Sequence, residues 1–158
     1  MKLLNKELVM TQEDKELLRK DLCARLDTNL VCSIYRTDDQ GIGYRNEILY
    51  GYCNIEGWDE FYFGEDCGIS IDYVSKIKPY LFPLSSITRE QIFEVQEILG
   101  KNEIEIEDGF LSIIDSSRNT ITYLEILALL NWFYKNHFDI NGLIPMGLAI
   151  DATGLNIY

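Results

Sequence analysis

The sequence predicts an α+β fold carried by a single domain, on three observations. Three threonine-led capping boxes open segments with helical apolar spacing. Asp108-Gly109 stands between two strictly alternating segments, and a stretch rich in β-branched and aromatic residues fills the interval between the first two helices. With 158 residues and 47% hydrophobic content, the chain is long enough to bury one real core. The resulting order of helix, strands, helix, hairpin, helix and tail reads as an antiparallel sheet with a 103–114 hairpin packed against about three helices.

Each element has its own local cause. Thr11 with Asp14 starts a helix over 11–26, in which Leu18, Leu22 and Leu26 recur every fourth residue while Leu17 and Cys23 widen the stripe. Its polar side interleaves Lys15, Arg19, Lys20 and Arg25 with Glu13, Asp14, Glu16 and Asp21, the pattern of a solvated, ion-paired helix face. Residues 30–36 and 44–55 then read as strands around the turn Asp38-Asp39-Gln40-Gly41. One more strand fits in 57–73. Pro79 and Pro83 exclude a regular helix through 78–84 and predict an irregular connector there.

Thr88 with Gln91 opens a second helix over 89–99, with Ile92, Val95 and Leu99 on one face and Gly100 in the place of a left-handed cap. Alternation in 103–107 and 110–114 around Asp108-Gly109 predicts a hairpin with a type I′ turn. In that register Ile106 opposes Leu111 and Ile104 opposes Ile113, which leaves Glu103, Glu105 and Glu107 in a column on the other face. A third helix runs from near Thr122, boxed by Glu125, to about Lys135. It is apolar on nearly every side, as a centrally covered helix or one partly buried by a partner chain would be. Asn141-Gly142 marks a turn, and 143–158 is apolar enough to dock, with a short helical turn and a final strand expected.

Charge is the most informative functional signal. The formal net charge is -12, and two β-like stretches hold nearly all of it. Residues 41–75 contain Glu47, Glu56, Asp59, Glu60, Glu65, Asp66 and Asp72 against Arg45 alone, and 103–115 contain five acids and no base. One anionic face is the expectation, suited to a basic protein partner and repellent to nucleic-acid phosphates. Tyrosine and tryptophan among these acids add buried area to electrostatic steering. The expected partner-binding residues are therefore Glu103, Glu105, Glu107, Trp58, Asp59, Glu60 and Tyr62.

Chemistry-bearing motifs are scarce. There is no G-x-x-x-x-G-K-[ST] and no complete G-x-G-x-x-G, so a phosphate loop is excluded and no cofactor is expected. The acidic clusters lack the spacing of a calcium loop, and no metal is expected. Cys23, Cys32, Cys53 and Cys67 form no C-x-x-C pair and read as reduced structural thiols. His137 is the only histidine, so a hydrolase or transferase reading must pair it with a carboxylate such as Asp139 or with a cysteine. The competing expectation is a histidine closing a helix C-terminus, where its partial charge suits the dipole. The first residues lack an apolar run of secretory length and the longest greasy stretch, 121–134, is interrupted by Thr122, Glu125 and Asn131, so a cytoplasmic protein without a membrane span is expected.

Three blocks carry a resemblance: Lys20-Asp21-Leu22-Cys23-Ala24-Arg25-Leu26, then Ile77-Lys78-Pro79-Tyr80-Leu81-Phe82-Pro83-Leu84-Ser85-Ser86, and His137-Phe138-Asp139-Ile140-Asn141-Gly142-Leu143-Ile144 with Gly147-Leu148-Ala149. In them the chain resembles a family of small uncharacterised prophage and mobile-element proteins of gut anaerobes. It departs from that pattern where Asp27-Thr28-Asn29 replaces a Pro-Tyr-Gly turn, where Phe82 and Asn141 replace arginines, and where Pro145-Met146 replaces a Glu-Lys pair. The resemblance implies a cytoplasmic accessory protein of a mobile element. Combined with the acidic face, the leading expectation is a non-catalytic protein-binding module of inhibitor, immunity or charge-mimic type. A small enzyme using His137 is the second, and a homo-oligomer sealed through the apolar helix 123–134 the third.

Overall fold

The computed structural model describes residues 10–38, 41–56, 58–63, 67–70, 76–100, 103–107, 110–114 and 121–158. The chain folds as α+β. In order, the elements are α1 (Gln12–Ala24), β1 (Val31–Asp38), β2 (Gly41–Ile55), β3 (Trp58–Phe63), β4 (Cys67–Ser70), β5 (Ile77–Leu81), α2 (Arg89–Ile98), β6 (Glu103–Glu107), β7 (Phe110–Ile114), α3 (Tyr123–Lys135) and β8 (Ile150–Asp151). All three capping boxes form, with Thr11, Thr88 and Thr122 each accepting from the backbone N–H three residues on. Each box satisfies two of the donors that a helix start leaves open.

Six strands make one sheet in the order β4-β3-β2-β1-β5-β8, and β6 and β7 make a second sheet of their own. Every pairing is antiparallel except that of β5 with β8. The hairpin takes the register expected of it, Ile104 opposite Ile113 and Ile106 opposite Leu111. It stands apart from the main sheet, however, and β6 leans instead on α2 and on the 3-10 turn Leu84–Ser86.

Two other expectations are corrected. The 57–73 stretch holds two strands, β3 and β4, because β2 is long enough to pair β1 along its first half and β3 along its second, with a register shift between Leu49 and Gly51. The 78–84 stretch is not an irregular connector throughout, since Ile77–Leu81 is a strand. Proline does bar a helix there, but the φ it fixes also suits extended backbone. Pro79 closes the short ladder to β1, and pairing with β8 starts only at Tyr80, so the missing N–H interrupts neither ladder.

The core has two parts. Leu18 and Leu22 of α1 pack with Cys32, Ile34, Leu49, Phe61, Phe63, Ile77 and Leu81 on one face of the six-stranded sheet. Val95 of α2, Leu99 at its C-terminal cap, Ile104 of β6 and Leu129 and Phe133 of α3 gather with Phe138 in the second part. Among the described residues, only that flank of α3 is covered. Tyr123, Leu124, Ile126, Leu127 and Leu130 are exposed, so α3 is not the centrally covered helix its composition suggests.

Candidate functional site

Strand register sorts the side chains of the main sheet into two faces. Cys32, Ile34, Leu49, Phe61 and Phe63 face α1. The alternate positions, among them Ser33, Tyr35, Tyr44, Asn46, Tyr62, Glu60 and Lys78, therefore lie on the opposite face. There, Tyr35 and Tyr44 sit directly opposite each other and meet edge to face, with ring centroids 5.1 Å apart. Lys76 Nζ lies over the Tyr35 ring at 5.5 Å, and the Tyr80 hydroxyl donates to Asn46 Oδ1 at 3.0 Å. Tyr44 is 65% exposed, Tyr50 at the register shift is 62% exposed, and Ile42 is open as well.

On the same face, the Tyr62 hydroxyl donates to Glu60 Oε2 at 3.0 Å and lies 3.3 Å from Cys53 Sγ. These contacts with Cys53 and Glu60 hold the Tyr62 phenol above its ordinary range. Of the residues expected to bind a partner, Glu60 and Tyr62 are thus brought together. The side chains of Trp58, Asp59, Glu103, Glu105 and Glu107 lie outside the described residues, though their backbone places them in two different sheets. The acids expected to share one face thus belong, by their backbone, to two separate sheets. Among the described side chains, the tyrosine face carries Glu60 on β3 and Lys78 on β5, so both signs of charge occur on it.

A buried polar cluster lies between the two parts of the core. Arg25 and Asp21 are both inaccessible and form a two-bond ion pair, Nε to Oδ2 at 2.7 Å and Nη2 to Oδ1 at 3.0 Å. His137 closes α3 in the left-handed conformation, with φ of 59°, as a helix terminator. Its ring stacks on Tyr158 at 4.0 Å, and its buried Nδ1 meets no hydrogen-bond partner among the described residues. Burial, aided by the Arg25 charge, pushes the imidazole down to about 4. The ring is therefore neutral near pH 7, which corrects the expectation of a partial charge serving the helix dipole.

Asp139 does not form a dyad with His137. Both its oxygens accept backbone N–H groups of the following turn, from Leu143 and Ile144, each at 2.8 Å. Cys32 is fully buried and its thiol is pushed up by that burial, away from the thiolate a nucleophile requires. Cys32 and Cys53 are free thiols. Among the described residues, no three His, Cys, Asp or Glu side chains gather as a metal site would need, and no helix is long and apolar enough to cross a membrane.

Sequence reasoning passed over Tyr35, Tyr44 and Tyr50. The signal for the first two was present in the turn 38–41, since pairing Asp38 with Gly41 places Tyr35 opposite Tyr44. Nothing local marks Tyr50, whose exposure depends on the register shift between β2 and β3. No protein-family model matches the chain, and neither a curated protein nor a solved structure matches it.

Proposed function

We propose that this protein is a non-catalytic protein-binding module whose partner docks on the tyrosine face of the main sheet. The observation that carries this reading is the exposure of Tyr44 and Tyr50 on the sheet face that also holds Tyr35, Tyr62 and Glu60. Tyrosine offers a large, rigid and amphipathic contact at low entropic cost, which is why it concentrates at binding surfaces. The ladder of β1 and β2 holds the Tyr35–Tyr44 pair and the contacts with Glu60 and Cys53 hold Tyr62, so these rings lose little freedom on docking. A net charge of -12 favours a basic partner by steering the encounter. An accessory role in the cytoplasm, of inhibitor or immunity type, agrees with the mobile-element resemblance of the three sequence blocks.

Capture from native lysate by the wild-type chain, by Tyr44→Ala/Tyr50→Ala and by Glu103→Lys/Glu105→Lys/Glu107→Lys tests the reading. Loss of the captured protein with the tyrosine pair, at an unchanged denaturation midpoint, is the expected result. An unchanged captured set in that variant removes the tyrosine face from consideration. Loss only in the lysine variant moves the docking surface to the hairpin.

A further inference from the structure

The outward side of α3 is a second and independent surface. Tyr123, Leu124, Ile126, Leu127 and Leu130 keep exposures from 37% at Leu127 and Leu130 to 75% at Leu124, while Leu129 and Phe133 on the other flank are buried. A regular apolar stripe at i, i+3, i+4 and i+7 is the pattern that packs helix on helix. Here one such stripe is filled by the second part of the core and the other faces outward. We propose that the outward stripe is the contact between two copies of this chain.

Charge selects a second copy as the occupant. The only acid or base between Tyr123 and Tyr134 is Glu125, and its carboxylate turns back onto its own helix start, accepting from the Thr122 N–H at 2.6 Å and the Thr122 hydroxyl at 2.8 Å. Two copies carrying -12 each repel one another across most of their surfaces. Among the described residues, the exposed side chains of the α3 stripe are uncharged and Glu125 is engaged by Thr122, so the contact brings few like charges together and offers a charged ligand little counter-charge. A regular Leu and Ile ridge is also complementary to itself, as an isologous two-fold contact demands.

Area is sufficient. The five exposed side chains offer on the order of 500 Å² per copy, so a pair buries on the order of 1,000 Å² before any polar rim, about the threshold of a specific interface. The apolar centre and size point to a dimer of micromolar rather than nanomolar strength.

Light scattering or sedimentation equilibrium from about 1 to about 500 μM spans the dissociation constants such an interface gives. The wild-type chain is expected to shift from one to two chain masses across that range. Leu124→Lys/Leu127→Lys is expected to remain at one mass throughout, with circular dichroism matching the wild type. Leu124→Gln, a milder change at the most exposed position, is expected to weaken association by several fold and serves if the lysine variant fails to fold. A wild-type chain that stays monomeric at every concentration overturns the proposal, whether another part of the chain or a different protein covers α3. A dimer equally strong in the folded variants overturns it too, because the contact then lies elsewhere.

Discussion

Arg25 Nη2 donates to the Phe138 carbonyl oxygen at 2.8 Å, across 113 residues of sequence. The same guanidinium holds both oxygens of Asp21, reaches the Tyr134 carbonyl at 3.4 Å and lies over the Tyr134 ring at 4.8 Å. Asn141 Nδ2 adds a further bond to Asp21 Oδ1 at 2.8 Å. Phe82 completes the junction by exchanging backbone bonds with His137 and Asp139. Residues from all three resemblance blocks therefore meet at one buried point between α1, β5 and the end of α3.

Removing the guanidinium should be costly. Arg25→Ala leaves the Asp21 charge buried without its counter-charge and removes one of the donors to the Phe138 carbonyl, a loss of about 3–5 kcal/mol for breaking a buried pair from one side. Arg25→Met/Asp21→Leu is expected to recover part of that loss, because no charge is then left without a partner. Urea denaturation of the three chains decides it. Equal midpoints for wild type and Arg25→Ala would show that the junction contributes nothing to stability.

The single histidine predicts a specific pH dependence. Its unfolded form takes up a proton near the ordinary value of 6.5 and its folded form only near 4. As pH falls from about 6.5 toward 4, the unfolded chain binds the extra proton, so stability declines by at most about 1.4 kcal/mol per pH unit and is unaffected by this group above that window. Asparagine tolerates the left-handed backbone of position 137 and does not titrate. His137→Asn should therefore fold and lose the histidine part of the slope between pH 6.5 and 4.5. Identical slopes in the two chains would contradict the assignment.

The two parts of the core should unfold together. Leu22→Ala in the first and Leu99→Ala in the second remove fully buried methyl groups and are each expected to cost about 2–5 kcal/mol. The chain's two tryptophans fall on different elements, Trp58 on β3 and Trp132 in the second part of the core. Trp58→Phe and Trp132→Phe variants each leave one fluorophore. Coincident midpoints for both reporters, shifted alike by either leucine change, are the expected outcome, and separate transitions would show that the Arg25 junction does not couple the parts.

Local chemistry explains what the sequence disclosed and what it hid. Three capping boxes and Asp108-Gly109 act within four residues, so α1, α2, α3 and the β6–β7 register were legible. The division of 57–73 into two strands depends on how far β2 extends as a template, and the strand at Pro79 depends on its neighbours β1 and β8. The candidate site was less legible still. Glu60 and Tyr62 are two apart on one strand and could be placed by alternation, but their partner Cys53 comes from another strand. Charge counted along the chain likewise says nothing of which sheet each acid joins, and the hairpin glutamates joined a different one from Glu60.

Tyr158 links the pH response to the C-terminal segment. Its hydroxyl donates to the Tyr80 carbonyl on β5 at 2.6 Å, while its ring covers the His137 imidazole with the planes 8° apart. Tyr158→Phe deletes the hydroxyl and keeps the stack, so it should cost about 1–2 kcal/mol by leaving the Tyr80 oxygen unsatisfied and should hold the imidazole near its lowered value. Tyr158→Ala removes both. With the ring gone, water reaches the imidazole, the desolvation that depresses it weakens, and its pKa should climb from about 4 toward 6.5. Because the chain has one histidine, a single set of imidazole proton resonances reports this titration without assignment ambiguity. If the alanine variant titrates where the wild type does, the Tyr158 ring is not what lowers His137, and burial by its other neighbours with the Arg25 charge accounts for the shift.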